Sequence, residues 1–443
     1  MTDVLNTAER RDLEFVSVSL TLDRVDPFDR PRASLIQDPG EILDAWIDLH
    51  SRVTYAAFYQ APQWCAAWVA ACAAAGRPED VRIIAVYDFG RLVLIWPLAV
   101  RRLGPFSVLH ALAEPATQYC DLLVEHSSKA ADWIGIAWAL VLAQPGVDLV
   151  HLRNVREGSE LQRYGAHWLD GHRVATGVAP YLNLCAAADG SRRQRSGRSV
   201  NALRRHLKQL SKRGPVVFET VPPSGQVAAL KLALALKHDW SKARGVRSAG
   251  YEHPANEATL LALASSGNFV MRQIRVGGKV TAIEIGATEK GHYYSMIQSY
   301  DASFSAHGPG RILLWRLFED GDPEITTFDF LPPAQPHKTE WAAEAVPVHT
   351  YGVATSLKGH LVLGYFQHLK PRLKALYLKA PRFLQQVARD PRRALLDAAN
   401  GVRGKLQFRF KAVKLTLDQT GVGGDGAARV AGLPHGSAIE PQG

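Results

Sequence analysis

The stretch that decides the fold runs from 300 to 320: Tyr300-Asp301-Ala302-Ser303-Phe304-Ser305-Ala306-His307-Gly308-Pro309-Gly310-Arg311, continued by ILLWRLFED. Before it, Gly291–Tyr300 (GHYYSMIQSY) has the aromatic and polar alternation of a strand. Proline suits the first position of a helix, so Pro309–Asp320 is expected to be helical. Glu324–Leu331 (EITTFDFL) then reads as another strand. A helix that starts directly after a strand and a glycine-rich turn presents unsatisfied N–H groups and the positive end of its dipole. That combination makes an anion site. Gly308 and Gly310 leave no Cβ in the way of a pyrophosphate. Arg311 adds a positive charge, and His307 borders the turn.

Outward from this stretch the pattern continues in both directions. Asn268–Val276 and Lys279–Thr288 flank Gly277-Gly278, a two-residue hairpin signature. Gln226–Lys242 precedes them with a helical pattern. In the first half, Val81–Tyr87 and Arg91–Arg101 flank Asp88-Phe89-Gly90 as a second hairpin. Tyr119–Glu125 follows as a strand, Ala130–Ala143 as a helix and Val147–Leu152 as a strand. Pro62 opens an earlier helix whose Trp64, Trp68 and Cys72 recur at i, i+4, i+8, one buried face. Both halves thus read helix, strand, tight turn, strand, strand, helix, strand. The hairpins lie about 188 residues apart, the size of one domain. The turn that corresponds to the cradle, Glu125-His126-Ser127-Ser128-Lys129, has no glycine, so a phosphate cradle is expected in the second half alone.

Composition narrows the function classes. The chain has 443 residues, 47% hydrophobic, which suffices for a large core and excludes wholesale disorder. Its net charge of +10 is unevenly placed: residues 358–414 carry +12, residues 415–443 carry −2, and the rest is neutral. The body is therefore not a general nucleic-acid surface. Residues 192–213 hold nine Lys/Arg and no acid, with Val200, Leu203, Leu207 and Leu210 on one helical face. The basic outer face is either solvated or meets an anion such as CoA phosphates, a phosphorylated substrate or RNA. Cys65, Cys72, Cys120 and Cys185 form no CxxC or zinc-spaced cluster and read as reduced thiols of a cytoplasmic protein. The longest apolar run, Trp133–Ala143, is too short for a membrane-spanning helix, which needs about 20 residues. After Tyr351 short basic and apolar segments alternate, a composition suited to an anionic membrane surface.

In this order the landmarks resemble the GNAT-like acetyltransferases of the cellulose-biosynthesis (CelD/BcsL) type, which are related in fold to the FemABX aminoacyl transferases. The resemblance rests on Tyr300-Asp301, Pro309-Gly310, Gly321, Asp329-Phe330, Lys338 and Trp341. Tyr181-Leu182-Asn183-Leu184, Phe58, Pro62-x-Trp64 and Trp96-Pro97-Leu98 add to it upstream. Two departures are the Pro332-Pro333 turn and His337 before Lys338, where many relatives have a glycine turn and a tyrosine.

The resemblance implies an α/β (α+β) fold of two tandem GNAT-like domains with mixed, mostly antiparallel sheets and a basic helical C-terminal extension. The expected organisation is a leader at 1–32, a degenerate GNAT-like domain at 33–180 and an acyltransferase domain at 181–356. A basic amphipathic helical extension at 357–415 and a disordered tail at 416–443 complete it. The implied activity is transfer of an acyl group from acetyl-CoA or another acyl-CoA to an amine or hydroxyl of a cell-envelope or exopolysaccharide precursor. No metal is required. The acceptor is a small-molecule, saccharide or lipid-linked partner, and the location is cytoplasmic, peripheral on the inner membrane face. The donor contacts implied are His307, Gly308, Gly310 and Arg311. Glu284 and Asp329 are the candidate bases, ahead of His307, His337 and Asp239, and Lys338 is the candidate holder of an acceptor carboxylate or phosphate. Two rival readings stand beside this one. A FemABX-like aminoacyl-tRNA-dependent transferase follows from the basic helix at 192–213. A non-catalytic GNAT-like scaffold of a polysaccharide synthase follows from the Pro332-Pro333 and His337 departures.

Overall fold

The computed structural model describes residues 30–379 apart from 56, 185–196 and 245–248. Residues 1–29, Cys185, Arg192, Arg193, Arg195 and the segments at 380–415 and 416–443 lie outside the described residues. Two compact units are present, one up to His368 and one from Leu369.

The first unit is α/β with mostly antiparallel sheets. Its strands are β1 (Arg32–Ile36), β2 (Asp80–Val81), β3 (Ile83–Asp88), β4 (Arg91–Trp96), β5 (Leu98–Leu103), β6 (Phe106–Ala111), β7 (Leu123–Val124), β8 (Leu149–Arg156), β9 (Arg173–Asn183), β10 (Val216–Thr220), β11 (Val270–Val276), β12 (Lys279–Glu289), β13 (His292–Tyr300), β14 (Thr327–Asp329) and β15 (Glu344–Ala354). A small sheet has the order β1-β3-β4-β7. A long sheet has the order β10-β11-β12-β13-β14-β9-β15-β8-β6-β5-β2. Among the described residues only β6–β8 and β13–β14 pair in parallel. The halves share one sheet, because β9 pairs with both β14 and β15, and β15 pairs with β8. The boundary expected at 180/181 falls inside β9.

Local chemistry explains most elements. Gly277 and Gly278 both have positive φ, +58° and +82°, as a tight β11–β12 hairpin requires. The helix Pro309–Asp320 has the expected bounds, with proline at its first position and Gly321 just past its end. Trp64, Trp68 and Cys72 are buried on one face of the helix Pro62–Ala74, which packs on the helix Pro254–Ser265. The basic helix is present as Gly197–Ser211; Leu203 and Leu210 are buried beside Ile312, Trp315 and Phe318, and Arg204, Arg205 and Lys208 are exposed.

Four expected elements differ. Arg91–Arg101 is two strands rather than one. Pro97, which has no N–H to give a ladder, separates them, and β4 and β5 join different sheets. Tyr119–Glu125 shrinks to Leu123–Val124, because Tyr119 and Asp121 are drawn away to other partners: Asp329 and the N–H of Leu161. Glu324–Leu331 shrinks to Thr327–Asp329. Leu331 adopts φ +63° and its N–H turns back onto Asp329 Oδ1 at 2.7 Å. The β-pattern continues past Tyr351 to Ala354.

Candidate active site

β13 and β14 pair in parallel over only three residues, His292–Tyr294 with Thr327–Asp329. Among the described residues, the edge of β13 beyond Tyr294 has no strand partner on that side, while the chain after Asp329 turns away. Between them opens a cleft of about 810 Å³. Its walls include Ser295 and Gln298 of β13, Phe330–Pro333 after β14, and Tyr59, Pro115 and Gln118 from the first half. Two carbonyls of the open edge are already engaged. Met296 O accepts from Tyr251 Oη at 3.0 Å and Gln298 O from Lys237 Nζ at 3.3 Å.

The start of the helix Pro309–Asp320 borders the same cleft. Gly308 is its N-cap, with φ +57° and no side chain to cap the first turn. The N–H groups of Arg311 and Ile312 bond to Gly308 O. Pro309 has no N–H, which leaves that of Gly310 for a guest. Gly308, Gly310 and Arg311 all line the cleft. The Arg311 guanidinium is paired with Glu340, so its charge is partly spent inside the protein. His307, expected at the donor site, does not line the cleft. It ends a short 3₁₀ turn whose geometry is set by Asp301, which accepts from Ser303 N.

The cleft carries more positive charge than the cradle alone suggests. Lys237, Trp240 and Arg244 reach it from the helix Gln226–Arg244, and Lys338 and His337 from the turn at Pro336–Thr339. Arg244 lies over the Trp240 ring at 4.8 Å. Burial lowers the Lys237 ammonium below its usual range. Burial also pulls Lys338 down to about 8, against the attraction of Asp329. Lys338 Nζ donates to Leu331 O at 2.8 Å and so braces the turn after β14. Its expected role against an acceptor anion is compatible with its place in the lining.

The two candidate bases separate. Glu284 on β12 is fully buried behind Ser295, whose hydroxyl donates to Glu284 Oε1. Its Oε2 makes no hydrogen bond of ordinary geometry among the described residues, though the Tyr293 hydroxyl lies close enough to favour the carboxylate. Burial pushes the carboxyl up to about 8, opposed by the Ser295 hydrogen bond and the charge of Lys237. Ser295 lines the cleft, so its hydroxyl stands between the cleft and Glu284. Asp329, also fully buried, is occupied on every side. Tyr119 Oη donates to it at 2.9 Å, Leu331 N at 2.7 Å, and His292 Nε2 stands at 3.3 Å. It joins the first-half loop to β14 and does not line the cleft. Its hydrogen bonds tie the first-half loop to the turn after β14.

Sequence reasoning missed Lys237, Trp240, Arg244, Tyr251 and Ser295. The first three sit at i, i+3, i+7 of one helix, a face visible in the sequence had the helix been read for polarity rather than for packing. Among the described residues one group has metal-ligand chemistry: Cys72, Glu79 and His253. None of the three lines the cleft. The Cys72 thiol is pushed up to about 12 by burial, and His253 Nδ1 accepts from Ala255 N.

Residues 195–339 match the family described as "Acetyltransferase (GNAT) domain". No curated protein matches the chain. Among solved structures, the C-terminal domain of a putative lysylphosphatidylglycerol synthetase from Agrobacterium fabrum is 15% identical, with a TM-score of 0.47, 74% of this chain and 96% of that one covered. FemX is 13% identical, with a TM-score of 0.47, over 72% and 96%. A tandem GNAT protein from the clavulanic acid biosynthesis pathway is 14% identical, with a TM-score of 0.38, over 74% and 99%. Residues 195–339, which hold the open strand pair, the glycine cradle and Glu284, are thus similar to a GNAT acetyltransferase domain.

Proposed function

We propose that the protein is an acyl-CoA-dependent acyltransferase of the cellulose-biosynthesis-related GNAT type. The observation that carries this reading is the divergence of β13 and β14 beside the uncapped start of the helix Pro309–Asp320. The pyrophosphate of the donor lies on Gly308 and Gly310, with Lys237 and Arg244 as further cations. The pantetheine chain, an extended amide, runs along the open edge of β13, as a peptide adds to a sheet edge. The acceptor, an amine or hydroxyl of a cell-envelope or exopolysaccharide precursor, attacks the thioester carbon. Its proton passes to Ser295 Oγ as Ser295 gives its own to Glu284. The C–S bond breaks and CoA leaves as thiolate, which takes up a proton. Calorimetric titration with acetyl-CoA and longer acyl-CoAs tests the donor. Binding to the wild type and its loss in a folded Gly308→Asp/Gly310→Asp variant is the expected result. Silence of every acyl-CoA, or equal binding by the variant, overturns it.

The proposal extends to the C-terminal segment. In the first unit the helix Leu357–Gly364 leaves Leu357 88% and Leu361 70% exposed. In the second unit the helix Lys370–Lys379 leaves Leu373 and Leu376 exposed. Residues 355–379 contain five Lys/Arg and no acid. Apolar side chains among cations suit an anionic lipid surface. No described helix is long and apolar enough to cross a membrane. Sedimentation with phosphatidylglycerol vesicles but not with phosphatidylcholine vesicles is expected; equal behaviour with both removes this part.

A further inference from the structure

A second cavity, of about 220 Å³, shares Tyr59 with the cleft. It is smaller than the roughly 300–1,000 Å³ of pockets that hold drug-sized ligands, so it suits a compact guest. Tyr55, Phe58, Tyr119 and Tyr294 give it an aromatic wall, and Asp121, Arg156, Glu160 and Arg163 its charge. Most of these groups have partners. Asp121 accepts from Leu161 N at the start of the helix Glu160–Leu169, and Glu160 pairs with Arg163 at 3.3 Å. Tyr55 Oη accepts from Val124 N and donates to Leu122 O.

Two groups do not. The Arg156 guanidinium faces the cavity with only the Tyr181 ring beside it, at 5.7 Å, and its Nε is buried and unbonded. No carboxylate pairs with it among the described residues. Its neighbours differ: Arg153 and Arg101 share Glu114, and Arg173 holds Asp170. The Tyr59 hydroxyl, on a side chain 2% exposed, also has no partner, and it stands where the two cavities meet. A half-buried cation with one nitrogen shut off from water and no counter-ion gains from a guest that supplies the missing charge. A guanidinium presents the fork that a carboxylate fills with two hydrogen bonds.

We propose that this chamber is the acceptor pocket and that it takes a compact carboxylate, an amino acid or an acidic sugar. The carboxylate pairs with Arg156, and the nucleophilic amine or hydroxyl passes Tyr59 toward the cleft. The inference rests on the acyltransfer reading for the word acceptor, though the carboxylate site itself does not depend on it. It narrows the expected envelope or exopolysaccharide precursor to one that bears a carboxylate close to its reacting group.

The test uses the full chain and two probe sets. Free L-amino acids are compared with their carboxamides, and D-glucuronate and D-galacturonate with D-glucose and D-galactose, by thermal shift and calorimetry. The acids of one set are expected to bind and their neutral counterparts not to. Which set binds distinguishes the two sources. Arg156→Gln is expected to weaken binding about tenfold or more, the size of a lost hydrogen bond to a charge. Tyr59→Phe, which keeps the ring, is expected to weaken it less, and it serves if Arg156→Gln does not fold. Binding of neutral and acidic probes alike, silence of both sets, or full affinity in Arg156→Gln or, should that variant not fold, in Tyr59→Phe overturns the proposal. Acyl-CoA titration of the same samples separates the two readings. Acids that bind while acyl-CoA does not leave the pocket standing and remove the donor site; the reverse removes the pocket alone.

Discussion

The parallel pairs β6–β8 and β13–β14 are built alike, each joined through a helix, yet one gap is filled and the other is open. In the first half the chain from Leu112 to Leu122 occupies the space beside β8. Cys120 N bonds to Arg153 O at 3.3 Å, and Asn154 Nδ2 to Gln118 O at 3.0 Å. Leu112, Ala113 and Leu122 are buried in it. In the second half nothing described takes the corresponding place, and the cleft remains. The difference teaches how one half serves the other. The loop that closes the first gap also supplies Pro115, Ala116 and Gln118 to the cleft, Tyr119 to Asp329, and Asp121 to the smaller chamber. The segment that fills the first gap serves as a wall of the second.

The sharpest way to break this contrast is through the base, which the first half does not supply. Glu284→Gln is expected to lower kcat about 100- to 10,000-fold, the usual worth of a general base. The carboxyl stands near 8 and acts when ionised, so the wild-type rate is expected to rise through about pH 8. That limb should vanish in Glu284→Gln. Lys338 loses its proton in the same window, so affinity for an anionic group of the acceptor held at Lys338 is expected to fall as the rate constant rises. A flat kcat profile assigns the base elsewhere.

Charge placed in the two matching turns gives the next effect. Gly308→Asp/Gly310→Asp should remove acyl-CoA binding, while Ser127→Asp/Ser128→Asp, in the first-half turn, should leave it unchanged in calorimetry. Loss in both would mean that the filled half still contacts the donor. The tie between halves is smaller in scale. Tyr119→Phe leaves buried Asp329 short of a donor and should cost about 1–3 kcal/mol in denaturant unfolding. A cost near zero would show that His292 and Leu331 N alone satisfy the carboxylate. Smallest of all, His307→Ala should leave acyl-CoA affinity and kcat within error. A tenfold change would restore His307 to the donor site.

What the sequence reveals follows the reach of each signal. Pro309, Gly321 and Gly277-Gly278 act on their immediate neighbours, and the elements they bound appear where expected. β9 and β15 were not legible. They carry Pro180 and Pro347, which demote a segment as a central strand, and both lie within the long sheet. They are tolerated because each lies just outside the ladder on one side: β14 pairs β9 from Tyr181 on, and β8 pairs β15 from Val348 on. The cradle was legible for the same local reason. Lys237, Tyr251 and Ser295 converge on it from separate elements, and Tyr59 from the other half. Asp329 was singled out as a candidate base, but the Tyr119 hydroxyl that bonds to it lies 210 residues away and could not be read from its neighbours.

The position of β15 has a consequence for how the chain is made. The strand formed from 344–354 is the last of the described strands, yet it sits between β8 and β9. Until it emerges from the ribosome, two long strands have open facing edges and the halves have no common sheet. Pairings so distant in sequence form slowly and expose aggregation-prone surface while they wait. A chain cut before 344 is therefore expected to accumulate in inclusion bodies, whereas one cut after 368 retains every described strand.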